Sequence, residues 1–247
     1  MKDIHTHILY DIDDGAKTLE ESLDILKKAS LNGVTDIVVT PHYIKDSKYS
    51  ANNKEKEEKL NILKQELKKN NIDINLYLGN EVYIDEDINT LFKKDISTIN
   101  NSRYILIELP LSSKPLFLDE VLYGIVKEGL IPIIAHPERY KAYYKNYDFF
   151  DNLIKKGCLF QSNIGSLYGD YGRKSKKMFK ELLKRNMIHF IGSDIHSKNS
   201  KTYERNIEKD LLKIVKDKEK VENLLINNTD KVINNKDIIR SEGNEWS

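Results

Sequence analysis

The segment Asp3-Ile4-His5-Thr6-His7 sets two histidines two residues apart at the end of a short run. Side chains alternate along a β-strand, so His5 and His7 point the same way and can bind one metal ion. Five further apolar runs also end in a residue that can bind a metal. They are Ile37-Val38-Val39-Thr40-Pro41-His42, Leu76-Tyr77-Leu78-Gly79-Asn80-Glu81, Tyr104-Ile105-Leu106-Ile107-Glu108, Ile131-Pro132-Ile133-Ile134-Ala135-His136 and Ile188-His189-Phe190-Ile191-Gly192-Ser193-Asp194-Ile195-His196. One site that binds several metal ions explains all six endings together.

Polar segments of helical length separate these runs, which predicts alternating β-strands and α-helices. The predicted helices cover residues 19–31, 54–70, 116–128, 149–156, 174–185 and 203–216. A further strand at residues 158–161 brings the number of strands to seven. Because the C-terminal ends of parallel strands meet on one face of an α/β barrel, the sequence predicts an irregular or incomplete α/β barrel, with one strand fewer than a full eight-stranded barrel.

The first βαβ unit has the clearest signals. Thr18 and Glu21 have capping-box spacing before the first helix, and Asn32-Gly33 supplies its stop. Residues 81–92 lack a clean period, so they are consistent with either a hairpin or a short helix over the barrel mouth.

The composition favours one domain over residues 1–247. From about residue 227 the chain is polar and Asn-rich, with Ile233, Ile238 and Ile239 as sparse anchors. We expect a polar tail from about residue 235, with residues 242–247 frayed. The net charge of +1 excludes a global attraction to nucleic acid or to an anionic membrane.

The single cysteine, Cys158, cannot form an internal disulfide, and no signal peptide precedes His5. No apolar stretch approaches the roughly 20 residues that span a bilayer. These features predict a cytoplasmic protein.

The remaining ligand candidates extend the metal site. Asp194-Ile195-His196 repeats the two-residue spacing, and Glu81 and Glu108 offer oxygens that can bridge two ions. Asp14 lies in a turn-forming stretch after the first strand, where it is a ligand candidate or a simple turn residue. His189 lies inside an apolar run and is predicted to be a hydrogen-bonded core histidine. Imidazole and carboxylate ligands without thiolates suit manganese, iron or catalytic zinc.

In this order, the ligand candidates resemble those of the polymerase and histidinol phosphatase (PHP) superfamily. The phrases that carry a narrower resemblance, to manganese-dependent tyrosine phosphatases of bacterial capsule and exopolysaccharide loci, are Asp3-Ile4-His5-Thr6-His7-Ile8-Leu9, Asp13-Asp14-Gly15-Ala16-Lys17, Thr40-Pro41-His42 and His136-Pro137-Glu138-Arg139-Tyr140. The resemblance implies the PHP fold, an α/β, distorted seven-stranded (β/α) TIM-like barrel, with three divalent metal ions, most simply Mn²⁺, with Fe or Zn as alternatives. It assigns the ligands as follows: His5, His7, Glu81 and Asp194 to the first ion, Glu81, Glu108 and His136 to the second, and Asp14, His42 and His196 to the third.

Clustered divalent ions would activate a hydroxide for in-line attack on phosphorus, with His42, Asp194 and Arg139 as the catalytic residues. A cysteine phosphatase is not favoured, because the position six residues after Cys158 is Ile164 rather than Arg.

Substrate binding is predicted at four side chains. Arg139 follows His136 closely and suits phosphate oxygens, although a surface pair with Glu138 is the alternative. The family carries a second arginine after the Asp-x-His motif, and here Lys201 or Arg205 is the nearest substitute. The aromatic residues from Tyr140 onward either form a wall for a phosphotyrosine ring or pack a helix on the barrel. The residues of that cluster are Tyr140, Tyr143, Tyr144, Tyr147, Phe149 and Phe150.

The resemblance therefore implies a protein-tyrosine phosphatase that acts on the phosphorylated, tyrosine-rich tail of a membrane-associated bacterial tyrosine kinase and so regulates polysaccharide synthesis. A histidinol-phosphate or other small-molecule phosphatase is one alternative, and a phosphopeptide-binding module without turnover is another. A nuclease is disfavoured, because the lysine-rich helix at residues 54–69 alternates with glutamates, as a solvated face does.

Overall fold

The computed structural model describes residues 1–90 and 95–238. Within these ranges the chain forms nine short strands, and every strand pair is parallel. The strands are β1 (Lys2–Asp3), β2 (Asp36–Val39), β3 (His42–Tyr43), β4 (Asn75–Leu78), β5 (Glu81–Tyr83), β6 (Tyr104–Glu108), β7 (Ile131–Ala135), β8 (Leu159–Asn163) and β9 (Phe190–Gly192). The helices are α1 (Leu19–Leu31), α2 (Asn53–Lys69), α3 (Leu118–Lys127), α4 (Tyr147–Lys155), α5 (Ile164–Tyr168), α6 (Gly172–Lys184), α7 (Ile207–Val215), α8 (Lys218–Glu222) and α9 (Asn228–Ile233). All six predicted helices are present, with ends within about four residues of the prediction.

The strands form two sheets, one with the order β1-β2-β4 and one with the order β3-β5-β6-β7-β8-β9. The predicted strand that ends at His42 is split because Pro41 has no N–H to donate to a neighbour. The neighbouring run is split at Asn80, whose side-chain amide donates to the Pro41 carbonyl at 2.9 Å. The two sheets meet at residues 5–7, where Thr6 bridges to Ile195 in parallel and its carbonyl accepts from the Thr40 N–H. His42 and Glu81 therefore lie beside each other just past two adjacent breaks.

Because side chains alternate along a strand, one face of several strands is apolar at its N-terminal end and polar at its C-terminal end; we call the apolar part the apolar floor. Tyr104 and Leu106 share a face with Glu108, and Leu159 shares one with Gln161 and Asn163. The first members of each series lie in a buried cluster, and the last members are polar. This cluster contains Ile4, Val38, Ile99, Tyr104, Leu106, Ile133, Ala135, Leu159, Phe190, Val232, Ile233 and Ile238. Polar groups consequently accumulate at the C-terminal ends of the strands.

The helices cover the outer faces of the sheets. Ile25 of α1 and Leu63 of α2 pack with Ile37 of β2, while Leu122 of α3 and Phe179 of α6 belong to the cluster that covers the six-stranded sheet. Helix α1 begins after Thr18, whose hydroxyl accepts from the Glu21 N–H at 3.2 Å, as the capping signal predicts.

Two segments differ from expectation or lie at the edge of the described residues. Residues 81–90 form β5 and a 3₁₀ turn at Ile88–Thr90, and Phe92, the end of the ambiguous segment, lies outside the described ranges. The Asn-rich segment begins in a helix, since α8 continues into α9 through a π-helical turn at Asn223–Asn227, and residues 234–238 lie outside any described helix. Ile239 and the predicted frayed residues 242–247 also lie outside those ranges. Among the helices described, none has the length and apolarity needed to cross a membrane.

Candidate metal centre

Imidazole and carboxylate groups from separate segments of the chain converge at the C-terminal ends of the strands. These residues form three groups, and within each group the possible ligand atoms all lie within 4.8 Å of one another. We call them the inner set (His5, His7, Glu81 and Asp194), the middle set (His42, Glu81 and Glu108) and the outer set (His7, Asp14, His42 and His196). His136 adjoins the middle set, with its Nε2 2.9 Å from Glu81 Oε1 and 3.6 Å from Glu108 Oε1. All nine ligand candidates from the sequence thus lie together.

The donor atoms of the inner set are arranged as they would be around a cation. The Nε2 atoms of His5 and His7 are 3.1 Å apart, and they lie 3.2 and 3.1 Å from the same Glu81 oxygen. Asp194 Oδ1 is 3.4 and 3.5 Å from these two nitrogens. All four residues are at most 6% exposed. Two imidazole nitrogens and two carboxylate oxygens that converge in a buried space match the donors of a divalent metal ion.

The electrostatics of the inner set lead to the same inference. Burial opposes protonation of His5, but the Glu81 and Asp194 carboxylates outweigh it and raise the His5 pKa to about 9. Although burial favours the neutral acid, the surrounding histidines hold the pKa of Glu81 well below its usual range. Glu108 behaves oppositely, since burial and the charge of Glu81 raise its pKa to about 8. A positive charge beside the carboxylates of Glu81 and Asp194 therefore stabilises the site, and either a proton or a metal ion can supply that charge.

The outer set is more open. Asp14 Oδ1 lies 3.5 Å from His42 Nε2 and 3.4 Å from His196 Nε2. The side chains of Asp14 and His196 are 50% and 32% exposed, against 13% for His42. A hydrogen bond from His196 holds the pKa of Asp14 well below its usual range. This end of the centre faces solvent.

Two imidazole nitrogens in or beside the middle set have no hydrogen-bond partner in the described part of the chain. His42 Nδ1 lies 3.2 Å from Glu81 Oε2 and 3.9 Å from Glu108 Oε2 but makes no hydrogen bond, and His136 Nδ1 is buried with no hydrogen-bond partner in the described part of the chain. Buried polar atoms are rarely left unpaired in folded proteins. His42, which the resemblance assigns to the third ion alone, also borders the second position.

Side chains that sequence reasoning missed orient the inner histidines. Asp13 Oδ2 lies 2.8 Å from His7 Nδ1 and accepts from the His42 N–H at 2.9 Å. Gln161 Oε1 lies 2.8 Å from His5 Nδ1. Such partners fix the ring orientation of metal-binding histidines. The two-residue spacing of Gln161 and Asn163 at a strand end was the available signal.

The turn that carries Asp13 and Asp14 requires a glycine. A Cβ atom at Gly15 would collide with the carbonyl oxygen of His7, so only glycine lets this turn approach the first strand. The Asp-Asp-Gly phrase is therefore explained by close packing against His7 as well as by the ligand candidate Asp14.

Two ligand candidates have unusual backbone geometry. His136 has φ 33° and Asp194 has φ 53°, both in the left-handed region. Residues other than glycine rarely adopt this region, and such strain is concentrated at functional sites.

Arg139 lies at the rim of the inner set. Its Nη1 is 2.9 Å from Asp194 Oδ2, and its guanidinium lies 4.3 Å from the centre of the Tyr171 ring. Asn163 Nδ2 donates to the same Asp194 oxygen at 2.6 Å. The alternative pair with Glu138 is not formed, because Glu138 is buried and accepts from the Asn163 N–H.

The structure corrects the prediction that Tyr140 contacts substrate. Tyr140 is fully buried; its hydroxyl donates to the Ala135 carbonyl at 2.6 Å and accepts from the Leu109 N–H at 3.0 Å. Tyr143 stacks on Phe149 with ring centres 3.7 Å apart, and Phe150 is buried, so these three rings do not form the predicted wall either. These residues belong to the core or pack against it, which was the alternative left open.

The remaining sequence candidates lie as follows. Lys201 is exposed, and Arg205 donates to both oxygens of Asp170 at 2.7 and 3.0 Å. Their roles in substrate binding stay predictions. His189 Nδ1 accepts from the Phe160 N–H at 3.1 Å, so the predicted hydrogen bond is present, but the residue is half-buried and not part of the buried core.

Comparison with known proteins assigns the chain to a family. The family model for capsular polysaccharide synthesis proteins of the CpsB/CapC type matches residues 1–234. CapC of Staphylococcus aureus, a candidate tyrosine-protein phosphatase, is 43% identical over 198 residues, which cover 80% of this chain and 77% of CapC. The tyrosine-protein phosphatase YwqE of Bacillus subtilis is 32% identical over 204 residues, which cover 82% and 80% of the two chains.

Solved structures agree with this assignment. A crystal structure from work on YwqE of Bacillus subtilis and CpsB of Streptococcus pneumoniae, which are metal-dependent tyrosine phosphatases, matches 99% of this chain and 98% of its own with a TM-score of 0.86 and 29% identity. A histidinol phosphate phosphatase from Lactococcus lactis shares the fold, with a TM-score of 0.54 and 17% identity over 86% of this chain and 93% of its own. The chain belongs to the CpsB/CapC family of capsular polysaccharide synthesis proteins.

Proposed function

We propose that this chain is a metal-dependent protein-tyrosine phosphatase that removes phosphate from phosphotyrosine. The observation that carries the proposal is the buried convergence of His5, His7, Glu81 and Asp194 directly beside the guanidinium of Arg139. That arrangement joins a cation site to a phosphate-binding side chain, and the relatives are named tyrosine-protein phosphatases.

The centre holds three divalent ions in this proposal, with Mn²⁺ preferred over Fe or Zn. The inner set would hold the first ion, Glu81, Glu108 and His136 would hold the second, and Asp14, His42 and His196 would hold the third. Divalent ions held there would neutralise phosphoryl oxygens and would make a water nucleophile available near neutral pH.

The chain itself binds and orients the substrate. Arg139 donates two parallel hydrogen bonds to phosphate oxygens, while Tyr171 supports the flat face of its guanidinium. Asp194 has two tasks, since one oxygen faces the inner histidines and the other positions Arg139. Burial lowers the pKa of His42, so its imidazole is neutral at pH 7 and able to act as a ligand. Lys201 or Arg205 contributes further contacts to the anionic substrate.

The proposed cellular role follows from the family. The substrate is the phosphorylated, tyrosine-rich tail of a membrane-associated bacterial tyrosine kinase, and the phosphatase acts on it in the cytoplasm. The sheets close into a distorted barrel of seven strands when each split run is counted once, and residues 1–247 form one domain. The backbone hydrogen bonds that join residues 5–7 to both neighbouring runs support this closure.

Phosphate release from a phosphotyrosyl peptide by chelator-stripped protein, before and after addition of Mn²⁺, tests the proposal. We expect Mn²⁺-dependent turnover that exceeds turnover of a phosphoseryl peptide and of histidinol phosphate. Turnover of histidinol phosphate alone would support the metal centre but show that the substrate is a small molecule and not phosphotyrosine. Affinity for the phosphopeptide without any turnover would identify a binding module.

A further inference from the structure

Helix α6 carries a concentration of positive charge that the metal centre does not explain. The segment from residue 172 to 185 contains one acidic residue, Glu181. Its basic residues are Arg173, Lys174, Lys176, Lys177, Lys180, Lys184 and Arg185. Because the whole chain has a net charge of only +1, this surface is a local feature with balancing acidic groups elsewhere.

The basic face points outward and is largely uncompensated. Met178, Phe179 and Leu182 pack into the core on the opposite side of the helix. Within the part of the chain that the structure describes, the only ion pair of these basic residues joins Lys184 to Glu181 at 3.4 Å. Lys174 and Lys177 are exposed. Unpaired cations on a helix face attract an anionic partner.

One end of this face borders the catalytic rim. Tyr171 immediately precedes α6, and its ring supports the Arg139 guanidinium while its hydroxyl lies 3.3 Å from Asp194 Oδ2. At about 1.5 Å per residue, Lys174 lies roughly 5 Å along the axis from Tyr171, and Lys184 roughly 20 Å. Lys174 is therefore much nearer to Tyr171 and the Arg139 guanidinium than Lys184 is.

A cleft of about 240 Å³ lies beside the same end of the helix. It is lined by Tyr144, Lys145, Tyr147, Lys174, Lys177 and Met178. The Tyr147 ring already packs against the Arg185 guanidinium, which lies 4.1 Å from the ring centre, so the exposed ammonium groups of Lys174 and Lys177 are the groups that suit a side chain ending in a carboxylate or phosphate. The exposed large apolar residues that would enter a lipid surface, Leu31, Ile62, Leu116 and Tyr123, are on other elements. The surface is therefore better suited to a peptide than to a membrane.

We propose that the Lys174–Lys177 end of α6 and its cleft dock an acidic segment of the substrate that flanks the phosphotyrosine. The inference rests on the proposed function and adds a specificity surface outside the metal centre. The negative charge of the segment comes from carboxylates or from further phosphate groups, since both pair with ammonium groups.

The test compares kcat/KM for two phosphotyrosyl peptides, one with flanking Asp and Glu residues and one with flanking Ser and Gln residues. The enzyme is used with Mn²⁺ as the wild type, the double variant Lys174→Gln/Lys177→Gln, and the control variant Lys184→Gln at the far end of the same helix. We expect the wild type to prefer the acidic peptide about fivefold, with the difference in KM, and the double variant to lose that preference. The control variant should keep it, and p-nitrophenyl phosphate turnover should be equal in all three.

Several outcomes would overturn the inference. Equal kcat/KM values for the two peptides in the wild type, or a preference retained by the double variant, would remove α6 from substrate docking. Binding to phosphatidylserine vesicles that the double variant loses, with peptide preference unchanged, would make the surface a membrane contact. If no peptide is hydrolysed, the proposed function is wrong, but the docking inference can still be tested. Fluorescence anisotropy then measures how tightly the same three proteins bind the labelled acidic peptide. A third peptide, with a second phosphotyrosine in place of the carboxylates, distinguishes the source of the charge.

Discussion

The inner and outer sets share His7 and both combine imidazole and carboxylate groups, yet they differ in how the protein supports their other members. The inner residues are at most 6% exposed, and Asp13 and Gln161 orient the two histidines. The outer set relies on Asp14 and His196, whose side chains are 50% and 32% exposed. A ligand that is buried and oriented loses little freedom when an ion binds, whereas an exposed one must be ordered. We therefore expect the inner position to bind its ion more tightly.

The difference in exposure also suggests different roles for the inner and outer sets. The inner set sits on the apolar floor and holds charge where water is excluded, which strengthens its electrostatic effect. The outer set faces the solvent from which substrate arrives. Arg139 lies between these environments, with its side chain 24% exposed and its guanidinium held by Asp194.

The largest effect is expected for Glu81→Gln, because Glu81 belongs to the inner and middle sets and adjoins His136. The glutamine amide carries no negative charge and has only one oxygen to offer a metal ion. Turnover of phosphotyrosyl peptide should therefore fall by about 10³-fold or more at any Mn²⁺ concentration. Initial-rate measurements with Mn²⁺ titration check this. Activity within tenfold of the wild type would remove Glu81 from the centre.

The next effect concerns the residue that orients His7. In Asp13→Asn the amide cannot replace both carboxylate oxygens, so we expect Mn²⁺ affinity or kcat/KM to fall about 10- to 100-fold. Asp11→Asn is the matched control in the same loop, since the Asp11 side chain is 82% exposed. Equal losses in the two variants would indicate a general loop effect instead.

A smaller effect is expected behind the inner set. Lys56 is 1% exposed, and its Nζ donates to Asn80 Oδ1 at 2.5 Å and to the Asp95 carbonyl at 2.8 Å. Burial lowers its pKa from 10.5 to about 7. Between these values the unfolded chain binds more protons at Lys56, so this residue makes the free energy of unfolding rise with pH from about 7 upward.

Urea unfolding of the wild type and Lys56→Met in chelator checks this sign, because other titrating groups cancel in the comparison. The wild type should gain about 2 kcal/mol relative to the variant between pH 6.5 and pH 9. A difference that does not change with pH would show that Lys56 stays charged in the folded state.

The smallest effect is expected at the open end. Asp14→Asn should raise the Mn²⁺ concentration for half-maximal activity about tenfold, while saturating Mn²⁺ restores most of kcat. A loss that saturating Mn²⁺ does not restore would place Asp14 among the tightly coupled inner residues.

The sequence predicted most of the centre because ligand spacing is local. His5 and His7, or Asp194 and His196, follow the two-residue period of a strand, and strand ends meet by topology. Long-range partners left no such signal: Lys56 meets Asn80 across 24 positions, and Gln161 meets His5 across 156. Tyr140 was misassigned because an aromatic cluster near a site looks the same in sequence whether it packs the core or faces substrate.

Calorimetric titration of Mn²⁺ into chelator-stripped wild type and Asp14→Asn tests the difference between the two sets most directly. The wild type should show a tight phase and a weaker phase, and the variant should lose only the weaker one. Loss of the tight phase in Asp14→Asn, or unchanged binding of both phases, would contradict the division into a buried inner site and an open outer site.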